Sequence, residues 1–207
     1  MHTLYYATDT CALASHIALK DAGAAYALRR IDFQATQQRS PDYLAINPKG
    51  RVPALVTADG ILTETPAILA FIAQSFPHAR LAPADPFGFA RLQEFNSYIC
   101  STLHVAHSHR MRGNRWADDR AAIESMQRKV PQSVGACYDH VETQIAGPWV
   151  MGDCYTVADA YLFTMAQWLE ADGIDPARCP KAIGHRARMR EWPNVRAAIE
   201  EEFAARA

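Results

Sequence analysis

The stretch INPKGRVPALVTADGILTETPAI, residues 46–68, decides how the first third of the chain folds. Asn47, Pro48, Lys49 and Gly50 make a loop, and Val52-Pro53 then opens a β-rich run that ends at Val56. Ile61 to Thr63 is a second such run. Ala58-Asp59-Gly60 between them is a hairpin signal, so the two strands run antiparallel. Thr65 to Phe76 reads as a helix, with Ile68, Leu69, Ile72 and Phe76 forming an apolar stripe and Pro66 in the first turn. Proline at a strand start requires either a tolerated missing N–H or a cis peptide bond. A cis Val52-Pro53 bond would turn the Val52 backbone outward, where its N–H and C=O can pair with an extended peptide. Thr65 is a candidate N-cap. The helix N-terminus there suits a carboxylate, and Glu64 suits an ammonium, which together match an amino-acid head group. A plain loop-to-strand turn and a plain helix cap fit the same residues.

Upstream, Thr3 to Ala7 reads as a strand, Cys11 to Ala22 as a helix and Tyr26 to Phe33 as a second strand. Leu13 and Ile17 lie one turn apart, and Gly23 is a natural stop. A helix between the two strands lets them run parallel. The order is β-α-β, an irregular stretch, then β-β-α. Cys11 falls at or just before the first turn of its helix. The free N–H groups and helix dipole there favour thiolate over thiol, and Thr8 and Thr10 add hydroxyl donors. The competing reading is a small buried hydrophobe, the usual state of a free cysteine.

Pro77, Pro83 and Pro86 cluster in PHARLAPADP, which marks a linker. The chain divides into residues 1–77, a linker 78–86 and a helical part 87–207. Leu92, Phe95, Ile99, Leu103 and Ala106 make one apolar helix face. Beside it, Ser97, Cys100, His104 and His107 make a polar stripe that overhangs the thiol if it faces the first domain. A long pattern runs from about Trp116 to Ile145, with Pro131 as a kink or break. Thr156 to Leu169 is strongly apolar. Weaker patterns cover Ala182 to Arg190 and Val195 to Ala205. In TVADAYLF, Thr156 can cap a helix, and Asp159 three residues on can reach back to the cap N–H; this is a structural device rather than a catalytic one.

The composition is that of a soluble globular protein: 49% hydrophobic and 21% charged, with a formal net charge of −1. That balance gives no sign of nucleic acid or of an anionic membrane as partner. Cys11, Cys100, Cys137, Cys154 and Cys179 are odd in number and widely spaced, which argues against a disulfide framework or a zinc ribbon and for reduced thiols. A metal site built on Cys100, His104 and His107 has little to support it. MHTLYYATDT lacks the features of a secretory signal, and no apolar run is long enough to span a bilayer. The expectation is a cytoplasmic protein.

YYATDTCALASHIAL, YLAINPKGRVPAL and LTETPAILAFIA, in that order and followed by TVADAYLF, resemble the glutathione transferase superfamily, and within it the bacterial beta-class branch. The resemblance spans nearly the whole chain and implies an α/β plus all-α fold: a thioredoxin-like N-terminal domain followed by an all-helical C-terminal domain. It implies glutathione as co-substrate, a small electrophile as second substrate and a homodimer. Cys11 matches the family's glutathione-facing cysteine, Val52 and Pro53 the residues that pair with the cysteinyl backbone, and Glu64 and Thr65 those that hold the γ-glutamyl end. His104 matches a histidine near the glutathione sulfur. The glutathione pocket is further assigned Tyr6, Lys49, Ser97 and His107, with Cys11, His104 and Thr10 as the catalytic set. A rival role is glutathione-dependent thiol–disulfide or peroxide reduction with Cys11 as nucleophile. Another is non-catalytic glutathione binding.

Several positions depart from the family pattern. Thr8-Asp9 replaces Pro-Gly before the cysteine, and the Asp9 carboxylate either opposes thiolate formation or caps the helix. Val105 follows His104 where a lysine is common. Thr36 and Gln37 occupy the region of an expected lysine, which removes one contact to a glutathione carboxylate. HSHRMRGNRWADD places His107, His109, Arg110, Arg112 and Arg115 at the mouth of the second-substrate pocket, pointing to an anionic or polar co-substrate or to a salt-linked dimer edge.

Overall fold

The computed structural model describes residues 1–204. Strand β1 (His2–Tyr6), helix α1 (Ala12–Asp21) and strand β2 (Tyr26–Arg30) are followed by a short helix α2 (Pro41–Ile46). Strands β3 (Ala54–Val56) and β4 (Ile61–Thr63) and helix α3 (Thr65–Ser75) complete the first unit. The sheet order is β2-β1-β3-β4, with β1 parallel to β2 and antiparallel to β3, and with β3 antiparallel to β4. This is a thioredoxin-like sheet, and α1 and α3 pack on each other beside it. Helix α1 stops where the sequence places its glycine. Gly23 adopts φ 63°, and its N–H and that of Ala24 donate back to Lys20 O and Leu19 O, both at 3.0 Å.

The rest is helical: α4 (Pro86–Tyr98), a π-helical turn (Ile99–Leu103), α5 (His104–Arg112), α6 (Arg120–Gln144), α7 (Val157–Ala166), α8 (Pro180–Glu191) and α9 (Pro193–Ala204). Leu92, Phe95, Ile99, Leu103 and Ala106 are all buried, as their spacing requires. Helix α6 runs through Pro131 without a break. Pro131 and Gln127, whose carbonyl loses its partner, are both exposed, so water can satisfy that carbonyl. Residue Ala205, at the end of the expected last helix, lies outside the described residues.

Some local readings change. Helix α2 falls in the stretch read as irregular; Ser40 caps it by accepting from the Tyr43 N–H at 3.2 Å, with Pro41 in the first turn. Strand β2 ends at Arg30 rather than Phe33, and β3 begins after Pro53. Thr65 is the first helical residue of α3 rather than its cap, and the cap position belongs to Glu64.

Two apolar clusters hold the units together. The larger joins Leu4, Leu55, Ile68 and Leu69 to Leu92, Ile99, Tyr138 and Tyr161. The smaller sets Leu13 and Ile17 of α1 against Phe163, Met189 and Val195. Polar contacts reinforce it: the Asp21 carboxylate accepts from the Tyr155 hydroxyl (2.5 Å), the Asn194 amide (2.8 Å) and the Trp192 indole (3.2 Å).

Helix α7 is buried over its whole length, so its start must be satisfied from within. Asp159 does this while fully buried itself. One oxygen accepts from the Thr156 N–H at 2.7 Å and the Thr156 hydroxyl at 3.2 Å. The other accepts from the Val150 N–H at 2.8 Å and lies 2.9 Å from His185 Nε2 on α8. Asp159→Ala would strand these donors and is expected to cost at least ~3 kcal/mol in urea denaturation. Asp159→Asn should also destabilise, because its amide N–H₂ would face a donor it cannot accept.

Candidate active site

A cavity of about 700 Å³ lies between the two units. The N-terminal side contributes Cys11, Val52, Pro53, Glu64 and Thr65, and the helical side contributes His104, His107 and Tyr161. Thr10 also lines it. Of the residues read from the sequence into the pocket or its mouth, Tyr6, Lys49, Ser97 and His109 are not among its walls; the His109 ring instead meets the Trp116 ring edge-on at 4.5 Å. The Tyr6 side chain is 1% exposed and belongs to the core under α1. Lys49 is exposed and acts one step removed, through an ion pair to Glu64 and a 2.6 Å hydrogen bond to Thr63 Oγ1. Ser97 is exposed on α4. The π-helical turn between Ser97 and His104 adds a residue to the repeat, which rotates the preceding segment by about 100° and breaks the expected stripe. Cys100, His104 and His107 remain on the cavity wall.

Cys11 occupies the N-cap position of α1 and is half-buried. Its thiol donates to Val52 O at 3.6 Å across the cis Val52-Pro53 segment. Burial pushes the Cys11 thiol up to about 11; Cys100 and Glu64 add to this, while the Thr65 hydroxyl and the helix backbone only partly oppose it. The thiolate expected from the helix terminus is therefore not the resting form at neutral pH. The hydroxyl donors expected beside it are also committed elsewhere. Thr10 donates to Ala7 O at 2.6 Å, and Thr8 donates to Glu202 O at 3.0 Å. Asp9 neither caps α1 nor approaches the thiol as a bonded partner: its carboxylate accepts from the Trp168 indole N–H at 2.8 Å.

His104 is pushed down to about 4, first by burial and then by His107, Arg115 and Arg51, so it is neutral at pH 7. It can donate or accept one hydrogen bond but brings no positive charge. His107 stacks on Trp168 at 4.4 Å between ring centroids and 15° between planes. Its Nδ1 lies 2.7 Å from an oxygen of the buried Asp172. A carboxylate only accepts, so Nδ1 carries the hydrogen, and Nε2 has no hydrogen-bond partner among the described residues. Glu64 holds φ 72° and ψ 120°, a backbone state that L residues rarely adopt and that costs of order 1–3 kcal/mol. It projects the carboxylate at the head of α3 into the cavity wall.

The model for the glutathione S-transferase N-terminal domain matches residues 1–74, and that for the C-terminal domain matches residues 120–201. A glutathione S-transferase of Escherichia coli is 32% identical over 96% of this chain and 98% of its own. The chain belongs to the glutathione S-transferase family. Among solved structures, a glutathione transferase homologue from Sulfitobacter with bound glutathione shares 43% identity, covers 97% of this chain and 98% of its own, and superposes with a TM-score of 0.94. A bacterial beta-class glutathione S-transferase from Sphingomonas chungbukensis shares 32% identity over 97% of this chain and 98% of its own, with a TM-score of 0.83.

The glutathione S-transferase frame was legible in motif order, but several walls of the cavity were not. Phe33 and Arg39 come from connecting segments without a motif, Arg51 sits inside the INPKGRVPAL motif but was assigned no role, and Tyr161 and Trp168 come from a stretch read as pure core. The apolar run around Tyr161 hid a hydroxyl that bonds the Cys100 thiol. A tyrosine inside the buried helix and a tryptophan just past its end were the available signal, since each brings a polar atom that needs a partner.

His104 also ties stability to pH. The unfolded chain protonates this imidazole near 6.5, and the folded chain only near 4. Between these values the unfolded state binds the extra proton, so folding stability falls as pH drops through that window. Relative to His104→Gln, the wild-type melting temperature should decline from pH 6.5 to pH 4 and run parallel above pH 7, as read by thermal denaturation at each pH.

Proposed function

We propose that this chain is a glutathione S-transferase that binds glutathione along Val52, Pro53, Glu64 and Thr65, with the sulfur beside Cys11, and conjugates it to an electrophilic small molecule. The observation that carries this reading is the convergence of those residues with His104 on one cavity between the two units. The Val52 N–H makes no hydrogen bond among the described residues, which suits it to an extended peptide backbone. The glutathione bound in the 43%-identical Sulfitobacter structure supports the same ligand here. Five free cysteines accord with a reducing cytoplasmic setting. Assembly as a homodimer belongs to the same reading and rests on the family resemblance.

Glutathione supplies the nucleophile, and the chain must favour its thiolate. A thiol with a reference pKa of about 8.5 needs roughly 2.7 kcal/mol to be lowered by two units. Cys11 contributes as a protonated thiol, which must release its weak 3.6 Å bond to Val52 O to donate to an adjacent sulfur anion. His104, neutral, can donate another. Arg39, Arg51, Arg112 and Arg115 around the cavity add a positive field. The reductase alternative needs Cys11 itself as thiolate, and burial works against that.

Calorimetry with reduced glutathione should show saturable heat; no heat at millimolar concentration would remove the proposal. Glu64→Gln should weaken binding by about tenfold, the loss of one charge-assisted contact worth ~1.4 kcal/mol. Cys11→Ala should keep transfer to chlorodinitrobenzene within about tenfold of wild type, the range of one lost hydrogen bond. Loss of transfer with retained glutathione binding would show that the Cys11 thiol does more than lend one hydrogen bond, and a disulfide-reductase activity that Cys11→Ala abolishes would favour the reductase reading.

A further inference from the structure

Five arginines line the cavity: Arg39, Arg51, Arg110, Arg112 and Arg115. The carboxylates on the same walls are Asp9, which accepts from the Trp168 indole, and Glu64, which is ion-paired with Lys49; neither pairs with an arginine. Arg110 is neutralised by the buried Asp172, 3.0 Å from its Nε. Arg39, Arg51, Arg112 and Arg115 form no ion pair among the described residues. Arg115 is held below the ordinary arginine value by burial and then by Arg51, Arg112 and Arg39. Like charges gathered in a recess at this density repel, and an anion entering it relieves the repulsion.

The four are divided between the two walls. Arg51 adjoins Val52 in the chain, and a guanidinium nitrogen of Arg39 lies 3.1 Å from where a Cβ on Gly50 would sit. These two stand on the side assigned to the tripeptide, whose glycyl carboxylate needs one cationic partner. Arg112 and Arg115 stand on the opposite side, at the end of α5 and in the following 3₁₀ turn Gly113–Arg115. Apolar surface surrounds them. Met111 is 71% and Trp116 48% exposed, and the Arg112 guanidinium lies over the Phe33 ring at 5.6 Å. Arginine fixed on an aromatic face keeps its outer N–H groups free for a carboxylate, and flanking apolar side chains accept the frame that carries it.

We propose that the electrophilic substrate is a small aromatic or unsaturated acid whose carboxylate is held by Arg112 and Arg115. This rests on the reading of the cavity as a glutathione transferase site and adds the chemical class of the second substrate.

A matched pair of aryl chlorides tests it: chloronitrobenzoate against the neutral chloronitrobenzamide, each with glutathione. In both reactions the C–S bond forms, the C–Cl bond breaks, chloride leaves with the electron pair and the thiol proton passes to solvent. Each kcat/KM is divided by the uncatalysed rate constant, which removes the difference in intrinsic reactivity. The wild-type enzyme should favour the benzoate by about tenfold or more, and Arg112→Gln/Arg115→Gln should abolish that preference. Arg112→Lys/Arg115→Lys keeps the charge and should retain part of it, which separates recognition from misfolding. Turnover of both chlorides without preference overturns the assignment while leaving the transferase reading intact. So does a preference that survives in the Gln variant, or a rise in the KM for glutathione that matches the lost preference. Absence of glutathione heat by calorimetry removes the transferase reading itself.

Discussion

The buried carboxylate of Asp159 is the constraint on which the helical unit rests. A fully buried helix start has no water to satisfy its first N–H groups, and a fully buried carboxylate has none to satisfy its lone pairs. Here each meets the other's need, and the same group reaches the Val150 N–H and His185 on α8. This fixes α7 against α8 and the preceding loop. Helix α7 in turn packs against α1, whose N-cap is Cys11. Tyr161 on the cavity wall thus sits on the helix that this buried anion anchors, and the thiol sits at the head of the helix packed against it.

Electrostatics at the thiol are a contest between the helix terminus and desolvation. A helix N-terminus favours an adjacent anion by about 0.3–2 kcal/mol, the larger figures belonging to partly buried geometries. Moving the thiol from 9.0 to about 11 corresponds to roughly 3 kcal/mol against the anion. Burial wins, so Cys11 serves as a donor. In the proposed reading the positive charge that a thiolate needs would come from guanidinium groups on both walls, which remain protonated at any working pH. The imidazoles do not supply it, because the same arginines and the same burial keep His104 neutral.

The long range of the contacts explains what the chain order concealed. Asp9 reaches Trp168, His107 reaches Asp172, and His16 reaches Glu201 and Glu202 near the other end of the described chain. In each, the role of a polar residue is set by a partner more than sixty positions away rather than by its own segment. Asp9 shows this well: beside a cysteine it looks like an electrostatic opponent or a cap, yet its oxygen is taken up by an indole.

The amino-acid order alone determined the β-α-β and β-β-α halves of the sheet unit, the proline-marked passage into helices, the Thr156–Asp159 box and the family. These rest on local periodicity, on turn chemistry and on motifs whose meaning is contained within a few residues. Tertiary structure alone decided the ionisation of Cys11 and His104, the removal of Ser97 from the polar stripe by a π turn, and the meeting of Arg39 and Arg51 with Arg112 and Arg115. Ionisation depends on burial and on charges supplied by distant segments, and a rotated helix face depends on the neighbours it packs against. Neither quantity is written in the spacing of residues along one strand or helix.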